Sequence, residues 1–584
     1  MNRWVELFAT LIVLVALATT YFVVVQIWRV KEVRGTVIGG TGPLHGAVVR
    51  LKATGFETKS DENGRFIING FPPGFSVPVT AWVEGYYIGG ATALPWKRTV
   101  EITVEPHLNS DNHTYTWVPP AILDRSVTRD YLVRAGLAAT ARLSFNRLFL
   151  PLSAKLKLGC ADCHGEIIYK QWAGSAHALG TSNMRFRTLY NGTDIKGNQS
   201  PPTRYMFQRD YGRIPVLPDA SQPYFGPGFK LDSPDAAGNC ATCHVPSAAL
   251  SSPYGIDPNT VSGVEAQGSH CDFCHKVAEV KLDPANGLPY ENMPGVLSLV
   301  LRRPSPERQL FFGPYDDVDV GPDTFSPLQR KSEYCAPCHN ASFWGTPIYQ
   351  SFAEWKASPY SDPVSGKTCQ DCHMKPDGIA SNFAPGRGGL ERDPVQIFTH
   401  AFPGVDTKLL QNTATLRVDA RQDGDKIHVE IGVTNSEAGH HIPTDHPMRN
   451  IILLIEATDA KGHKLALVDG PTVPEWGGKG PDPDDYAGRP GKGYAKVLEN
   501  LWTEDSPSVA YWRQTVILED TRIPALATDI STYAFAAPME AGPVKVTASL
   551  VFRRAFKQLA EVKGWEMKDI VMATKTTKLD MGPK

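Results

Sequence analysis

With 584 residues, the chain is longer than one hydrophobic core serves and is expected to divide into about three or four domains. Hydrophobic residues make up 42 % and charged residues 21 %, which excludes a disordered chain. Lys+Arg number 59 against Asp+Glu 61, for a net charge of −2, which speaks against a nucleic-acid binder and its basic excess. All ten cysteines fall in Cys-x-x-Cys pairs, each followed at once by His, so none is left for a disulfide or a free nucleophile.

From the N-terminus, residues 7–28 carry no formal charge and are rich in Leu, Val and Ala. About 20 apolar residues span a bilayer as a helix. A cleaved signal peptide ending near Ala16-Leu17-Ala18 is the plainer alternative. However, the apolar run continues through Tyr21, Phe22 and Val23 to Val25, beyond the roughly 7–15 residues of a signal-peptide core. Residues 1–31 are therefore predicted as a retained, single-pass transmembrane helix in a bacterial or archaeal cell membrane. Arg3 precedes the span and Arg29, Lys31 and Arg34 follow it, which by the positive-inside rule favours a cytoplasmic C-terminal side. The cofactor chemistry below, whose covalent attachment takes place outside the cytoplasmic membrane, argues instead for a periplasmic or extracellular one.

Residues 32–106 are predicted to form a small β-sandwich. Runs such as "RGTVIG", "GAVVRLKAT", "GRFIING" and "VPVTAWVEG" are rich in β-branched and aromatic residues and are separated by Gly, Pro and Asp-Glu-Asn-Gly turns. Their order resembles the carboxypeptidase regulatory-like domain, a resemblance that implies a spacer or docking module without catalytic residues. Residues 107–158 read as a connector: "DNHTYTWVP" at 111–119, then a helix over 125–158 with apolar residues at helical spacing. Residues 159–404 hold every cysteine, are dense in Pro and Gly, and are predicted to be loop-rich and α-helical, with a cofactor supplying the apolar mass. Over 405–584, β patterns return in "TLRVDARQ", "KIHVEIGVTN", "NIILLIEATD", "TYAFAAP" and "VKVTASLVFRR", predicting a C-terminal β-sandwich that ends in a short helix near 555–562. One internal repeat stands out: Trp172-x-x-Ser175-x-His177 after the first motif, Trp355-x-x-Ser358-x-Tyr360 between the fourth and the fifth.

The motifs are Cys160-Cys163-His164, Cys240-Cys243-His244, Cys271-Cys274-His275, Cys335-Cys338-His339 and Cys369-Cys372-His373, numbered 1 to 5 below. Cys-x-x-Cys-His is the attachment signature of c-type haem. Two intervening residues place both sulfurs on one turn, matching the two vinyl groups, and the adjacent His reaches the iron as proximal ligand. Zinc sites commonly pair two Cys-x-x-Cys units per ion, but five is an odd number, and zinc needs no His after every pair. A thioredoxin-like motif has no use for five copies. Five covalently bound haems c are therefore expected. The short sequence gaps suggest two close pairs, motifs 2 and 3 and motifs 4 and 5.

Eleven histidines remain for the distal positions, since imidazole is a common axial ligand. His177 is the first candidate, followed by His400 in "FTHAFPG" and His440 in "AGHHIPTDHPMR", the latter preferred to His441. His270, His446 and His113 are weaker candidates, and His107 weaker still. His45, His428 and His463 read as turn or strand-surface residues, and Met374, beside His373, as packing. The carboxylates of 314–323 and 481–486 could hold calcium, although solvated loops are the plainer reading.

On these residues the chain resembles the multihaem cytochrome c superfamily. "CADCH…YKQWAGSAHA" is similar to elements of nitrogen-cycle multihaem cytochromes, including the tetrahaem cytochromes of ammonia oxidisers, where the His of the Trp-x-x-Ser-x-His unit is a distal ligand. "EWKASPYSD…GKTCQDCHM" and "GHHIPTD" look like pieces of membrane-associated and extracellular multihaem cytochromes. The pentahaem nitrite reductases differ: their catalytic haem follows Cys-x-x-Cys-Lys, which does not occur here. The resemblance implies an electron-transfer protein that passes single electrons between a membrane respiratory complex, such as a quinol-oxidising one, or other cytochromes, and periplasmic or extracellular acceptors. The alternatives are an oxidoreductase acting on a small nitrogen or sulfur compound at one open haem, or a cytochrome filament subunit in which a neighbour donates a ligand such as His113.

Overall fold

A computed structural model describes residues 10–21, 32–69, 75–121, 159–305, 308–385 and 389–580. The first described stretch, 10–21, is helical and exposed. Among the described residues no helix is long and apolar enough to cross a membrane. This overturns the expected single-pass anchor and the localisation built on it. The helix expected over 125–158 lies outside the described residues.

The first module is two facing four-stranded sheets. One pairs Glu32–Gly39 with Gly42–Pro43, Arg65–Asn69 and, in parallel, Thr99–Thr103; the other orders Glu57–Lys59, Val48–Leu51, Val77–Trp82 and Gly89–Ala93. Alternate side chains point to opposite faces of a strand. Val33 and Val37, Val49 and Leu51, and Phe66 and Ile68 therefore meet in one buried core.

This module docks on the cysteine-bearing region through the acidic loop 314–323. Asp316 takes the Arg50 guanidinium at 2.9 Å, Asp319 pairs with Lys52, and Asp317 accepts the Ala53 amide at 2.8 Å and pairs with Arg392, both side chains only 4 % exposed. The Trp82 ring meets Phe325 edge-on at 4.9 Å. Asp316, Asp317 and Asp319, three of the carboxylates that could have held calcium, are thus engaged by cations, as are Asp482, Asp484 and Asp485 by Lys557. The Arg50–Asp316 pair is partly exposed, a setting worth up to about 1 kcal/mol. Arg50→Ala is expected to leave the fold intact but to speed tryptic release of the first module in limited proteolysis; an unchanged rate would leave the docking to Trp82.

The expectation of a loop-rich α-helical domain is also corrected. Strands hold 31 % of residues against 20 % in helices, and four two-stranded sheets lie between the first motif and the last sandwich. The helices there are short, because Gly and Pro interrupt them.

From Ala414 the chain builds two larger sheets. Ala414–Asp423, Lys426–Asn435, Thr528–Ala536 and Leu467–Asp469 form one; Thr515–Asp520, Gly491–Asn500, Asn450–Thr458, Pro543–Arg553 and Ile570–Asp580 form the other. Val429, Ile431 and Val433 from the first sheet meet Ile451, Leu453, Val546 and Leu550 from the second in the largest buried cluster. The helix Lys557–Lys563 follows. Its buried Lys563 ammonium donates to the carbonyls of Thr188, Thr193 and Pro227 at 3.1, 3.1 and 2.7 Å, fastening the last sandwich to the cysteine-bearing region.

Candidate haem-binding site

Each motif occupies one short helical turn: the start of Ala161–Ala173, then Ala241–His244, Cys271–Cys274, Ala336–His339 and Cys369–His373. Residues three apart on a helix share a face, so the two thiols of a motif point the same way, with the histidine beside them. The intervening residues anchor these turns. Asp371 closes a capping box with Thr368. Asp272, fully buried, accepts from the Tyr115 hydroxyl at 2.9 Å and the Val118 amide at 2.7 Å and pairs with the buried Lys276. The connector at 111–119 is thereby tied to motif 3.

All ten cysteines and all five following histidines line one cavity of about 3800 Å³, several times the roughly 300–1,000 Å³ of a pocket for one small molecule. The thiols order the motifs in space. Cys160 lies in hydrogen-bonding reach of Cys271, Cys243 of Cys338, and Cys335 of Cys369. The Tyr334 hydroxyl, next to Cys335, donates to the Cys274 carbonyl at 2.8 Å. Motif 1 thus neighbours 3, and motif 4 neighbours 2, 3 and 5. The expected proximity of 4 and 5 is present, while 3 has 1 and 4 beside it.

Five further histidines line the cavity: His177, His400, His440, His441 and His446. With metal–nitrogen bonds of about 2 Å on either side, the centres of two imidazoles facing one metal ion fall about 6 Å apart. The rings of His177 and His339 are 6.2 Å apart at 83°, and those of His440 and His373 are 6.2 Å apart at 14°. His446 interacts electrostatically with His244, and His400 with His275 and then His164. Burial pushes His177, His244 and His373 down to about 4, and His400 and His446 to about 3. All five rings are therefore neutral bases at neutral pH, the form that binds metal. The other ring nitrogen fixes several of them. His164 Nδ1 lies 3.0 Å from the Phe383 carbonyl, His275 Nδ1 2.6 Å from that of Phe312, and His373 Nδ1 2.7 Å from that of Pro403. The Nδ1 atoms of His177 and His400 are buried without a protein hydrogen bond.

The loop between the strands Lys426–Asn435 and Asn450–Thr458 brings three groups to three motifs: His440 to His373, the Asp445 carboxylate to His339 Nδ1 at 3.5 Å, and His446 to His244. Asp445 adopts φ 70°, which Asp tolerates better than most side chains. At Gly439, a Cβ would sit 3.2 Å from the Tyr360 ring and 3.3 Å from that of Trp355, so glycine lets the loop lie against both. The sequence repeat is a structural one: Ser175 and Ser358 share extended backbone angles, and each Trp indole donates to a carbonyl, of Ser269 and of Lys367. Where the first copy presents His177, the second presents Tyr360, and the loop lays Gly439 against that ring and His440 beyond it.

Two other candidates, His113 and His270, are not brought to the cavity. His113 is exposed, with Nδ1 2.9 Å from the Arg303 guanidinium. His270 is fully buried outside the cavity lining and caps Cys271–Cys274 by accepting the Phe273 amide. His441 lines the cavity but has Nδ1 3.8 Å from Glu354. Sequence reasoning missed Phe186, stacked on His244 at 3.8 Å, and Asp445; only proximity to a candidate ligand could have pointed to the latter.

These residues fit haem c, by the cavity that joins all five motifs and by the two imidazole pairs at metal-bridging distance. Among the described residues no cluster of three or more His, Cys, Asp or Glu is arranged to hold a bare metal ion.

No protein-family model matches the chain, and no curated protein does. Among solved structures, a penta-haem cytochrome c552 from Thermochromatium tepidum is similar over 72 % of this chain and 97 % of its own, at 20 % identity and a TM-score of 0.44. The ASH/PapD-like domain 7 of human CEP192 matches 30 % of this chain and 89 % of its own, at 8 % identity and a TM-score of 0.12.

Proposed function

We propose that the chain is a multihaem c-type cytochrome that carries single electrons between protein redox partners. The observation that carries this reading is the one cavity lined by five Cys-x-x-Cys-His motifs, with His177 and His440 placed opposite His339 and His373. When bound, haem supplies reversible one-electron iron chemistry, with a potential set by axial ligands, burial and hydrogen bonding. The chain supplies two cysteines and a proximal histidine per motif, and His177, His440, His446 and His400 as the distal set. Burial holds the His177, His400 and His446 imidazoles neutral.

The motif order makes the route branched. With a haem on each motif, electrons entering at motif 1 would pass through 3 to 4, where paths to 2 and 5 would diverge. Motif 4 is the junction, and Phe402, 4.4 Å from His177 and 6.0 Å from His400, packs between the ligands of neighbouring irons.

Two measurements test the reading. Intact mass and pyridine haemochrome absorbance of the purified protein are expected to give five haems per chain; fewer would mean that some motifs serve another purpose. Ferric EPR is expected to resolve two kinds of low-spin iron. The near-parallel His373 and His440 rings split the iron d orbitals and give a rhombic signal. The near-perpendicular His339 and His177 rings leave them almost degenerate and give a large maximum g value. A single rhombic species would contradict the second pair.

A further inference from the structure

We infer that Arg185, Arg449 and Arg554 form a receptor for carboxylates in the wall of the cavity, filled by the propionates of the haem at motif 2. The inference rests on the haem attachment proposed above and names the residues that hold the acidic edge of that cofactor.

Strand register places two of the three. Asn450 stands opposite Arg553 at the end of the ladder between Asn450–Thr458 and Pro543–Arg553, and Arg449 and Arg554 come next on their respective strands. Side chains alternate across a sheet, so Arg449 falls on the face of Ile451 and Arg554 on that of Phe552. All four residues line the cavity. Like charges at opposed strand positions repel. The third arginine comes from the helix Met184–Asn191. Its Leu189 packs in one cluster with Ala555 and Met448, the chain neighbours of the other two arginines, and its Arg185 lines the same cavity.

Their charge is left without matching anions. Each guanidinium has five N–H donors. Arg185 donates to the Glu566 carbonyl at 3.5 Å, Arg449 to that of Thr444 at 3.1 Å and Arg554 to that of Val405 at 3.1 Å. Arg185 Nε is buried without a partner. Among the described residues neither Arg185 nor Arg554 makes an ion pair. Arg449 reaches Asp445 only at 4.0 Å, and that carboxylate also faces His339 at 3.5 Å. Burial and the Arg554 charge hold Arg185 below the usual arginine range, and burial and the Arg449 charge do the same to Arg554. A guanidinium binds a carboxylate through two parallel N–H donors, and an anion among the three offsets their repulsion. Motif 2 lies alongside. Phe186, next to Arg185, stacks on His244 at 3.8 Å and 10°, and the Arg449 amide donates to the His446 carbonyl at 3.1 Å. Propionates are the carboxylates that a haem brings there; a free oxyanion from solvent has the same oxygen chemistry and is separated from them by experiment.

A crystal structure of the holoprotein is expected to show propionate oxygens of the motif 2 haem in hydrogen-bonding distance of at least two of the three guanidiniums. Crystals soaked in selenate are expected to show no anomalous peak among them. A selenate peak there would assign the site to a free oxyanion and overturn the inference, as would the propionates of another haem or an empty cluster. A redox titration followed by EPR gives a second reading. A cation beside a haem favours the reduced iron, so Arg554→Gln is expected to lower the midpoint potential of the motif 2 haem more than that of any other. Arg554→Lys is expected to restore most of the shift. Potentials unchanged in Arg554→Gln would overturn the inference, and Arg185→Gln gives the same comparison if Arg554→Gln does not fold. A haem count of zero would instead defeat the attachment reading on which it stands.

Discussion

Replacing His177 with alanine is expected to turn one haem high-spin while all five stay covalently attached. The two thioether bonds of a motif do not depend on the distal imidazole, so intact mass should show no haem loss. His177 lies 6.2 Å from His339, and its other ring nitrogen has no protein hydrogen bond, so losing the ring removes a ligand without breaking another hydrogen bond. The affected iron is that of motif 4, whose neighbours are motifs 2, 3 and 5. The functional cost should therefore exceed that of losing a terminal haem: electron exchange between the two ends should slow by more than in His446→Ala. Imidazole added to the buffer is expected to restore the low-spin spectrum by filling the space left by the ring. An unchanged EPR spectrum in His177→Ala would reject it as a ligand.

Arg522→Ala is expected to destabilise the last sandwich more than any loss of a surface ion pair. Arg522 pairs with Glu354, both side chains only 6 % exposed. The Glu354 carboxylate also accepts from the Thr444 hydroxyl and, at 3.2 Å, from the His441 amide. Burial would raise its pKa, but the Arg522 charge and the Thr444 hydrogen bond hold it below the usual range. Removing one partner of a buried pair leaves an uncompensated charge, at a cost of about 3–5 kcal/mol, which for a module of this size is a Tm lower by roughly 10 °C. Thr444 and His441 belong to the ligand loop, so the loss should reach the irons, seen as partial high-spin character at motifs 2 and 5. Glu354→Gln with Arg522→Met removes both charges and should recover most of the stability. A double variant as unstable as Arg522→Ala would place the cost elsewhere.

The grouping of the motifs was legible because each is local in sequence, as Cys160, Cys163 and His164 are, and the structure brings all five to one cavity. That His177 faces the same cavity was legible for a related reason: it belongs to a local unit, the Trp-x-x-Ser turn. The pairing of distal histidines with motifs was not, since His440 meets His373 from a sandwich built by a later stretch of chain. The acidic loop 314–323 misled because its cations come from far away; Arg50 and Asp316 are 266 positions apart. The apolar N-terminal run suggested an anchor because hydropathy counts residues, whereas among the described residues no helix is long and apolar enough to cross a membrane.

The loop carrying His440, Asp445 and His446 imposes a constraint on how this molecule can change. On the proposed reading, three redox centres would share one short piece of backbone, so their midpoint potentials would not be separate variables. A substitution that shifts the loop to retune one centre moves the others with it, in directions fixed by ring geometry. Motifs 1 and 3, which that loop does not reach through His440, Asp445 or His446, are free of that linkage. Divergence among relatives of this chain should therefore show correlated drift at motifs 2, 4 and 5 and independent drift at 1 and 3, and an engineer seeking a steeper driving force along the route should begin at the latter pair.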